Sequence, residues 1–368
     1  MKLIILRENL KAALLRIERG VTDNSNLPIL KNVLLDANDT LKLSSTNLEM
    51  GISTEAKGKI EKKGALSIPF HPLLSIVVNS DSERITLEAK DDSLDLKTDN
   101  YQAKIQGLKA DEFPILPSLK EDKGYIKINS QELNSAISEV VHAAQVSELK
   151  PELSGILFDF QISLFKLVAT DSFRLAEKTV LNSEFETNIE KGFKAIIPLS
   201  TINELSKVFA DEEIKIIFDE NQVFFSSKQS SLISRLIDGE YPDYQAIIPK
   251  SFDTNLELEK KDLSTAIKLV SGFSGRSSDI KLNLKPESKT LEIYSSSQSV
   301  GENNYLIPVK RAGADFQEIA FNWRYLMSAV QSMHSDDISF NLNGAQKPAL
   351  IKPLKDESVF YIVMPLES

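Results

Sequence analysis

Few residues in this chain are suited to bond-breaking chemistry. Histidine occurs three times, as His71, His142 and His334, and cysteine is absent, which excludes disulfides, thiol nucleophiles and thiolate metal sites and fits a reducing cytoplasm. The GxSxG elbow, the HExxH helix, the GxxxxGK phosphate loop and the GxGxxG turn are missing. Carboxylates cluster at Asp81/Glu83, at Asp211/Glu212/Glu213 and at Asp336/Asp337, and such clusters can hold Mg²⁺ or Ca²⁺. All three occupy the same place in a repeated pattern, whereas an active site need occur once. They read as solvated helix-to-strand turns, and the three histidines as structural or solvent-facing. No catalytic residue, cofactor or metal is expected.

Two features point to binding instead. The stretch "KLVATDSFRLAEK" (166–178) runs from a strand through the turn residues Thr170-Asp171-Ser172 to Phe173-Arg174-Leu175, an aromatic, a fork-shaped cation and an aliphatic side by side. In addition, cations fall opposite the apolar stripes of several expected helices. Arg16 and Arg19 oppose Leu10, Ala13, Leu14 and Ile17; Lys261 and Lys268 oppose Leu263, Ala266, Ile267 and Val270; Lys207 opposes Ile202, Leu205 and Phe209; Arg324 lies away from Leu326, Ala329 and Val330. The chain as a whole is acidic, with 43 basic against 53 acidic residues and a net charge of −10. That balance argues against wrapping nucleic acid over the whole surface and leaves room for a local basic face.

The elements that position these residues recur three times. "LIILRENLKAAL" from Leu3, "IKINSQELNSAI" from Ile126 and "LELEKKDLSTAI" from Leu256 each read as a strand, a polar turn and a helix start. "IPFHPLLSIVV" from Ile68, "IPLSTINELSKVF" from Ile197 and "IAFNWRYLMSAV" from Ile319 each read as a strand end and a second helix. A period of roughly 125 residues is too long for a solenoid unit, so each repeat is a domain. The boundaries expected are 1–122, 123–250 and 251–368, with "FPILPSLKEDKG" and "YPDYQAIIPKSFD" as connectors. Many period-two strands with two short helices per repeat give an α+β class, helices packed on antiparallel sheets. The N-terminal "MKLIILRENLKAALL" reads as strand and helix, its apolar run broken at Arg7 and Glu8, and no apolar run approaches the length of a membrane span.

A triplicated chain carrying "LPILKNVLL" (27–35), "STNLEM" (45–50), "ATDSFRLA" (169–176), "LIDGEYPDYQAIIP" (236–249) and "YIVMPL" (361–366) resembles the bacterial DNA polymerase III β subunit, the sliding-clamp family, over its whole length. The resemblance implies a homodimeric ring of six similar domains, joined repeat one to repeat three. Helices would line the hole, and duplex DNA would pass through without sequence readout. It also implies a non-catalytic role in tethering the polymerase, other replication and repair proteins as further partners, and a separate loader that opens the ring. The DNA-facing positions it implies are Arg16, Arg19, Asn24, His71, Lys207, Lys261, Lys268 and Arg324. The peptide pocket it implies comprises Leu153, Thr170, Ser172, Phe173, Arg174, Leu175, Pro242, Ile247, Ile362, Met364, Pro365 and Leu366, expected to be an apolar cleft free of helices. The dimer contact it implies involves Ile105, Leu269 and Val270. The sequence departs from the family at Phe173, where histidine or tyrosine is usual, and at Gln245 and Ala246, where a basic residue often follows the tyrosine. The alternative from another class is a three-domain peptide-binding scaffold that never encircles DNA.

Overall fold

The computed structural model describes residues 1–22, 26–117, 123–285 and 289–366. Among these, each repeat has the same element order. The first runs β1 (Lys2–Leu6), α1 (Arg7–Ile17), β2 (Asn32–Ala37), β3 (Leu41–Thr46), β4 (Met50–Ala56), β5 (Gly58–Lys62), β6 (Gly64–Pro69), α2 (Phe70–Asn79), β7 (Arg84–Lys90), β8 (Ser93–Lys97) and β9 (Gln102–Gln106). The second runs β10 (Ile126–Asn129), α3 (Ser130–Val140), β11 (Gly155–Gln161), β12 (Leu164–Thr170), β13 (Arg174–Leu181), β14 (Phe185–Thr187), β15 (Phe193–Pro198), α4 (Leu199–Val208), β16 (Glu213–Phe218), β17 (Gln222–Ser226) and β18 (Ser230–Arg235). The third runs β19 (Thr254–Glu259), α5 (Lys260–Ser271), β20 (Asp279–Leu284), β21 (Thr290–Ser297), β22 (Gly301–Pro308), β23 (Lys310–Gly313), β24 (Phe316–Asn322), α6 (Trp323–Ser332), β25 (Asp337–Leu342), β26 (Ala349–Pro353) and β27 (Val359–Val363). No described helix is long and apolar enough to cross a membrane.

The apolar stripes are the buried faces. Leu10, Leu14 and Ile17 of α1, Leu133 and Val140 of α3, and Leu263, Ile267 and Val270 of α5 are at most 2 % exposed. A fully buried side chain of this size contributes about 1.5–3 kcal/mol, which holds each short helix on its sheet more firmly than helix propensity could. The acidic turns have a fold-level reason to recur. The main-chain carbonyl of Glu83 accepts the N–H of Arg7, that of Glu212 the N–H of Ser130, and that of Asp336 the N–H of Lys260, at 2.7–2.9 Å. Each turn thus satisfies a free donor at the start of the repeat's first helix. Among the described residues no group of three or more His, Cys, Asp or Glu could hold a metal ion.

The chain forms two compact units, and the central repeat contributes to both. One unit comprises Met1–Gln131, Phe185–Ile189 and Asn203–Leu236. It holds a five-stranded sheet, β5-β1-β7-β8-β9, and a nine-stranded sheet, β14-β10-β16-β17-β18-β4-β3-β2-β6. The other comprises Glu132–Glu184, Glu190–Ile202 and Ile237–Ser368, with a nine-stranded sheet, β15-β11-β12-β13-β27-β26-β25-β19-β23, and a four-stranded sheet, β22-β21-β20-β24. Repeats therefore join by antiparallel pairing inside a sheet, β4 with β18 in the first unit and β13 with β27 in the second. Main-chain hydrogen bonding across that seam is why the compact units do not coincide with the sequence repeats.

Candidate peptide pocket and basic helix faces

The turn at Thr170–Arg174 is built like its counterpart in repeat one. Thr46 Oγ1 donates to the carbonyl of Met50 at 2.9 Å, and Asn47 Oδ1 accepts from the N–H groups of Glu49 and Met50 at 3.0 and 2.7 Å. Thr170 Oγ1 donates to the carbonyl of Arg174 at 2.6 Å, and Asp171 Oδ1 accepts from the N–H groups of Phe173 and Arg174 at 2.9 and 3.0 Å. Both turns place the third residue in the left-handed region, Leu48 at φ 73° and Ser172 at φ 80°. Threonine followed by Asn or Asp bonds its own backbone and holds such a turn. The corner therefore belongs to the fold.

What repeat two adds is carried by side chains. Arg174 Nε donates to Asp171 Oδ2 at 2.9 Å, and one Nη donates to Ser328 Oγ at 3.0 Å. The Arg174 guanidinium lies 4.5 Å from the centroid of the Tyr325 ring, and Phe173 stacks on the same ring at 6.4 Å. Because Tyr325 and Ser328 are in α6, the expectation of a helix-free cleft is corrected: α6 supplies one side of it. Arg174 and Asp171 expose only 13 % and 5 % of their side chains, so the cation acts as a strut held by Asp171, Ser328 and the Tyr325 ring. Phe173 is the exposed element, at 60 %.

The remaining residues form a floor and rims. Leu175 pairs with Ile362 across the β13–β27 seam, and both join Leu157, Val168, Tyr244 and Leu350 in one buried cluster. Leu153, Leu175 and Ile362 are at most 3 % exposed, which makes them floor residues beneath the surface. The chain leaving β27 is pinned by Met364 N–H to the Phe173 carbonyl (2.9 Å) and by Leu366 N–H to the Ala320 carbonyl (2.8 Å), leaving Met364, Pro365 and Leu366 half-buried beside the corner. Ser172 is held by Lys150 Nζ at 3.1 Å, and Thr170 is buried. Pro242 and Ile247 stand exposed on the connector, whose Tyr241 hydroxyl donates to the Val168 carbonyl at 3.4 Å. Burial, followed by the Glu177 carboxylate, pushes the Tyr244 phenol well above its usual range. His142, in the turn after α3, is held below its usual range by burial and then by the Arg174 cation.

Sequence reasoning missed Asp171, Tyr241, Tyr244, Tyr325 and Ser328 as members of this site. The three-residue spacing of Asp171 and Arg174 was a usable signal. Tyr325 and Ser328 come from a distant helix, and nothing local in the sequence marks them.

The cations on helix faces are distributed as follows. In the first unit, Arg16 is half-buried and Arg19 exposed. Arg19 lies 3.9 Å from Glu204, whose carboxylate also accepts from Lys207 at 3.2 Å on both oxygens. Glu204 is itself 8 % exposed, so one covered carboxylate draws Arg19 and Lys207 together. His71 is exposed and meets Phe70 edge-on at 5.4 Å. Asn24 lies outside the described residues. In the second unit, Lys261 and Lys268 are exposed along α5, and Arg324 is exposed with its guanidinium 5.0 Å from the Trp323 ring.

Of the dimer-contact residues, Leu269 is 55 % exposed and its carbonyl accepts from Asn303 Nδ2 at 3.0 Å, tying it to the edge strand β22. Ile105 lies on the edge strand β9, covered to 8 % exposure. Val270 requires correction. It is fully buried with Leu263, Ala266 and Ile267 on the inner face of α5, one helical step of about 100° from Leu269, and it serves the core.

Comparison with known proteins agrees along the whole chain. Family models for the DNA polymerase III beta subunit match with its N-terminal domain at residues 1–117, its central domain at 127–243 and its C-terminal domain at 245–367. The beta sliding clamp of Synechococcus elongatus is 30 % identical over 100 % of this chain and 99 % of its own length, and that of Bacillus subtilis is 27 % identical over 100 % of each. Among solved structures, the Bacillus subtilis sliding clamp superposes with a TM-score of 0.94 at 26 % identity, covering 100 % of this chain and 99 % of that one. A sliding clamp from Bartonella birtlesii, bound to griselimycin, superposes with a TM-score of 0.91 at 27 % identity over 100 % of each chain. The chain belongs to the DNA polymerase III beta subunit family, the beta sliding clamps.

Proposed function

We propose that two copies of this chain close into a ring around duplex DNA in the cytoplasm and hold the polymerase to its template. The family is a processivity factor and not an enzyme, in keeping with the absence of catalytic motifs from the sequence. The reading divides the chain into domains at 1–122, 123–250 and 251–368, each with the same order of strands and two α-helices. Arg16, Arg19, Lys207, Lys261, Lys268 and Arg324 then face the phosphates, with His71 as a polar neighbour. Scattered long cations attract the backbone without base readout, which is what a sliding contact needs. The edge strands β9 and β22, with Ile105 and Leu269, supply the contact between copies.

The observation that carries the partner reading is the Phe173 edge. An aromatic 60 % exposed, backed by an immobilised Arg174–Tyr325 pair and floored by Leu175 and Ile362, is a preformed apolar ledge. It suits the tail of the polymerase, of the loader and of other clamp-binding replication and repair proteins. Two apolar anchors of about 1.5–3 kcal/mol each, opposed by the ordering of a flexible tail, give micromolar binding of about −8 kcal/mol. The test of the ring is retention on nicked circular DNA at high salt. Release on linearisation is the expected result, and retention that ignores linearisation overturns the ring in favour of the scaffold.

A further inference from the structure

The first unit contains a second copy of the pocket's backbone framework with different side chains: Glu49 and Met50 stand where Phe173 and Arg174 do, Gly51 where Leu175 does and Leu116 where Tyr244 does. In the second unit the β13–β27 seam pairs Leu175 with Ile362. In the first unit the β4–β18 seam pairs Gly51 with Ile233 at the corresponding register, immediately after the matching Thr46–Met50 corner. The connectors correspond as well: Phe113-Pro114 matches Tyr241-Pro242, which puts Leu116 in the place of Tyr244. Tyr244 packs over Leu175 and Ile362; Leu116 packs over Gly51 and Ile233, its Cδ2 only 2.6 Å from where a Cβ on Gly51 would stand. Leu116 thus takes the space a Gly51 side chain would fill, and beside the two a cleft of about 250 Å³ remains, lined by Leu116, Phe224 and Ile233 with Lys42, Ser53 and Ser231 at its polar edge.

We infer that this cleft is a second peptide-binding site, taking one leucine- or phenylalanine-sized side chain of an extended acidic segment. The inference rests on reading the Phe173 pocket as a peptide site. The cleft is smaller than the ~300–1,000 Å³ of pockets that hold drug-sized ligands, which fits a single side chain better than a cofactor. Phe224 and Ile233 are covered to 8 % and 9 % exposure and line the cleft, so its floor is apolar. Lys42 is exposed, and among the described residues no ion pair joins it to Glu55, which stands opposite it in the β3–β4 ladder. A carboxylate next to the inserted side chain supplies a partner for Lys42, which selects an acidic segment over a neutral or basic one.

The test uses the full chain with ¹³C-labelled Ile, Leu and Met methyl groups and the blocked tripeptide acetyl-Glu-Leu-Phe as probe. Leu116 and Ile233 report on the proposed cleft, while Ile362 and Met364 report separately on the Phe173 pocket. Saturable shifts at Leu116 and Ile233 are expected. Gly51→Ala, which drives the end of Leu116 into the cleft, should weaken them about tenfold and leave the shifts at Ile362 and Met364 unchanged. Lys42→Glu, a surface change that spares the core, should weaken them while preserving the native methyl spectrum. Unmoved Leu116 and Ile233 signals overturn the inference whatever Ile362 and Met364 do, as do shifts that survive both substitutions. Shifts at Leu116 and Ile233 lost in both variants uphold the cleft even if Ile362 and Met364 stay silent, an outcome that removes only the reading of the Phe173 pocket.

Discussion

Glu204→Gln should make the protein hold DNA more tightly and with steeper salt dependence. Glu204 is covered to 8 % exposure, lies 3.2 Å from Lys207 and 3.9 Å from Arg19, and so cancels about one positive charge on a face proposed to meet phosphates. Lys207 and Arg19 keep 51 % and 63 % of their side chains exposed, so solvent screens both pairs and losing them costs about 1 kcal/mol of stability at most. The electrostatic gain is larger. Freeing one cation per chain frees two per ring, and each added phosphate contact steepens the dependence of log affinity on log salt by about 0.9. Over a fourfold salt range, from about 50 to about 200 mM, the wild-type-to-variant difference should therefore change by roughly tenfold. Fluorescence anisotropy of a labelled short duplex across that range reads the slope directly, with circular dichroism confirming the fold. An unchanged or shallower slope in a folded Glu204→Gln protein refutes the reasoning, because it means that Arg19 and Lys207 do not meet the backbone.

Three further outcomes follow from the site. Arg174→Ala leaves the Asp171 carboxylate covered at 5 % exposure and without its cation, which should cost about 3 kcal/mol in urea unfolding; adding Asp171→Asn should recover part of it, and full additivity of the two changes would contradict a coupled pair. Leu269→Asp should dissociate the dimer in sedimentation analysis while leaving each chain folded, whereas Val270→Asp should unfold it, since Leu269 is 55 % exposed and Val270 fully buried; equal effects would be inconsistent with their placement. Because burial and Arg174 depress the His142 pKa, the folded state resists its protonation. Its contribution to stability is present above the ordinary histidine value of 6.5 and is lost as pH falls through that value toward the depressed one, so His142→Gln should flatten the acid limb of a stability–pH profile.

Much of the fold was legible because its signals are local and repeated. The i, i+3, i+4, i+7 stripe at Leu10, Ala13, Leu14 and Ile17 is copied at Leu263, Ala266, Ile267 and Val270, and each copy points the same way onto a sheet. The same stripe already assigned Val270 to the core, and treating it as a contact residue set aside its helical phase. The acidic turns were legible as turns, while the reason for their recurrence lies in main-chain bonds from Glu83, Glu212 and Asp336 to the helix starts.

The Thr-Asx corner was set by the sequence alone, since a turn closed by its own side chains needs no distant partner. The chain's alternating strands and its triplication were equally local properties. Only the tertiary structure decided that Arg174 is a strut, because its acceptor Ser328 and its aromatic partner Tyr325 lie some 150 residues away on α6. Only it decided that Glu204 sits between Arg19 and Lys207, and that Leu116 seats over Gly51 beside a cleft in the first unit. Charge pairing and cavity volume depend on which surfaces a sheet seam brings together, and seam register is set by packing across repeats rather than by any residue's own neighbours.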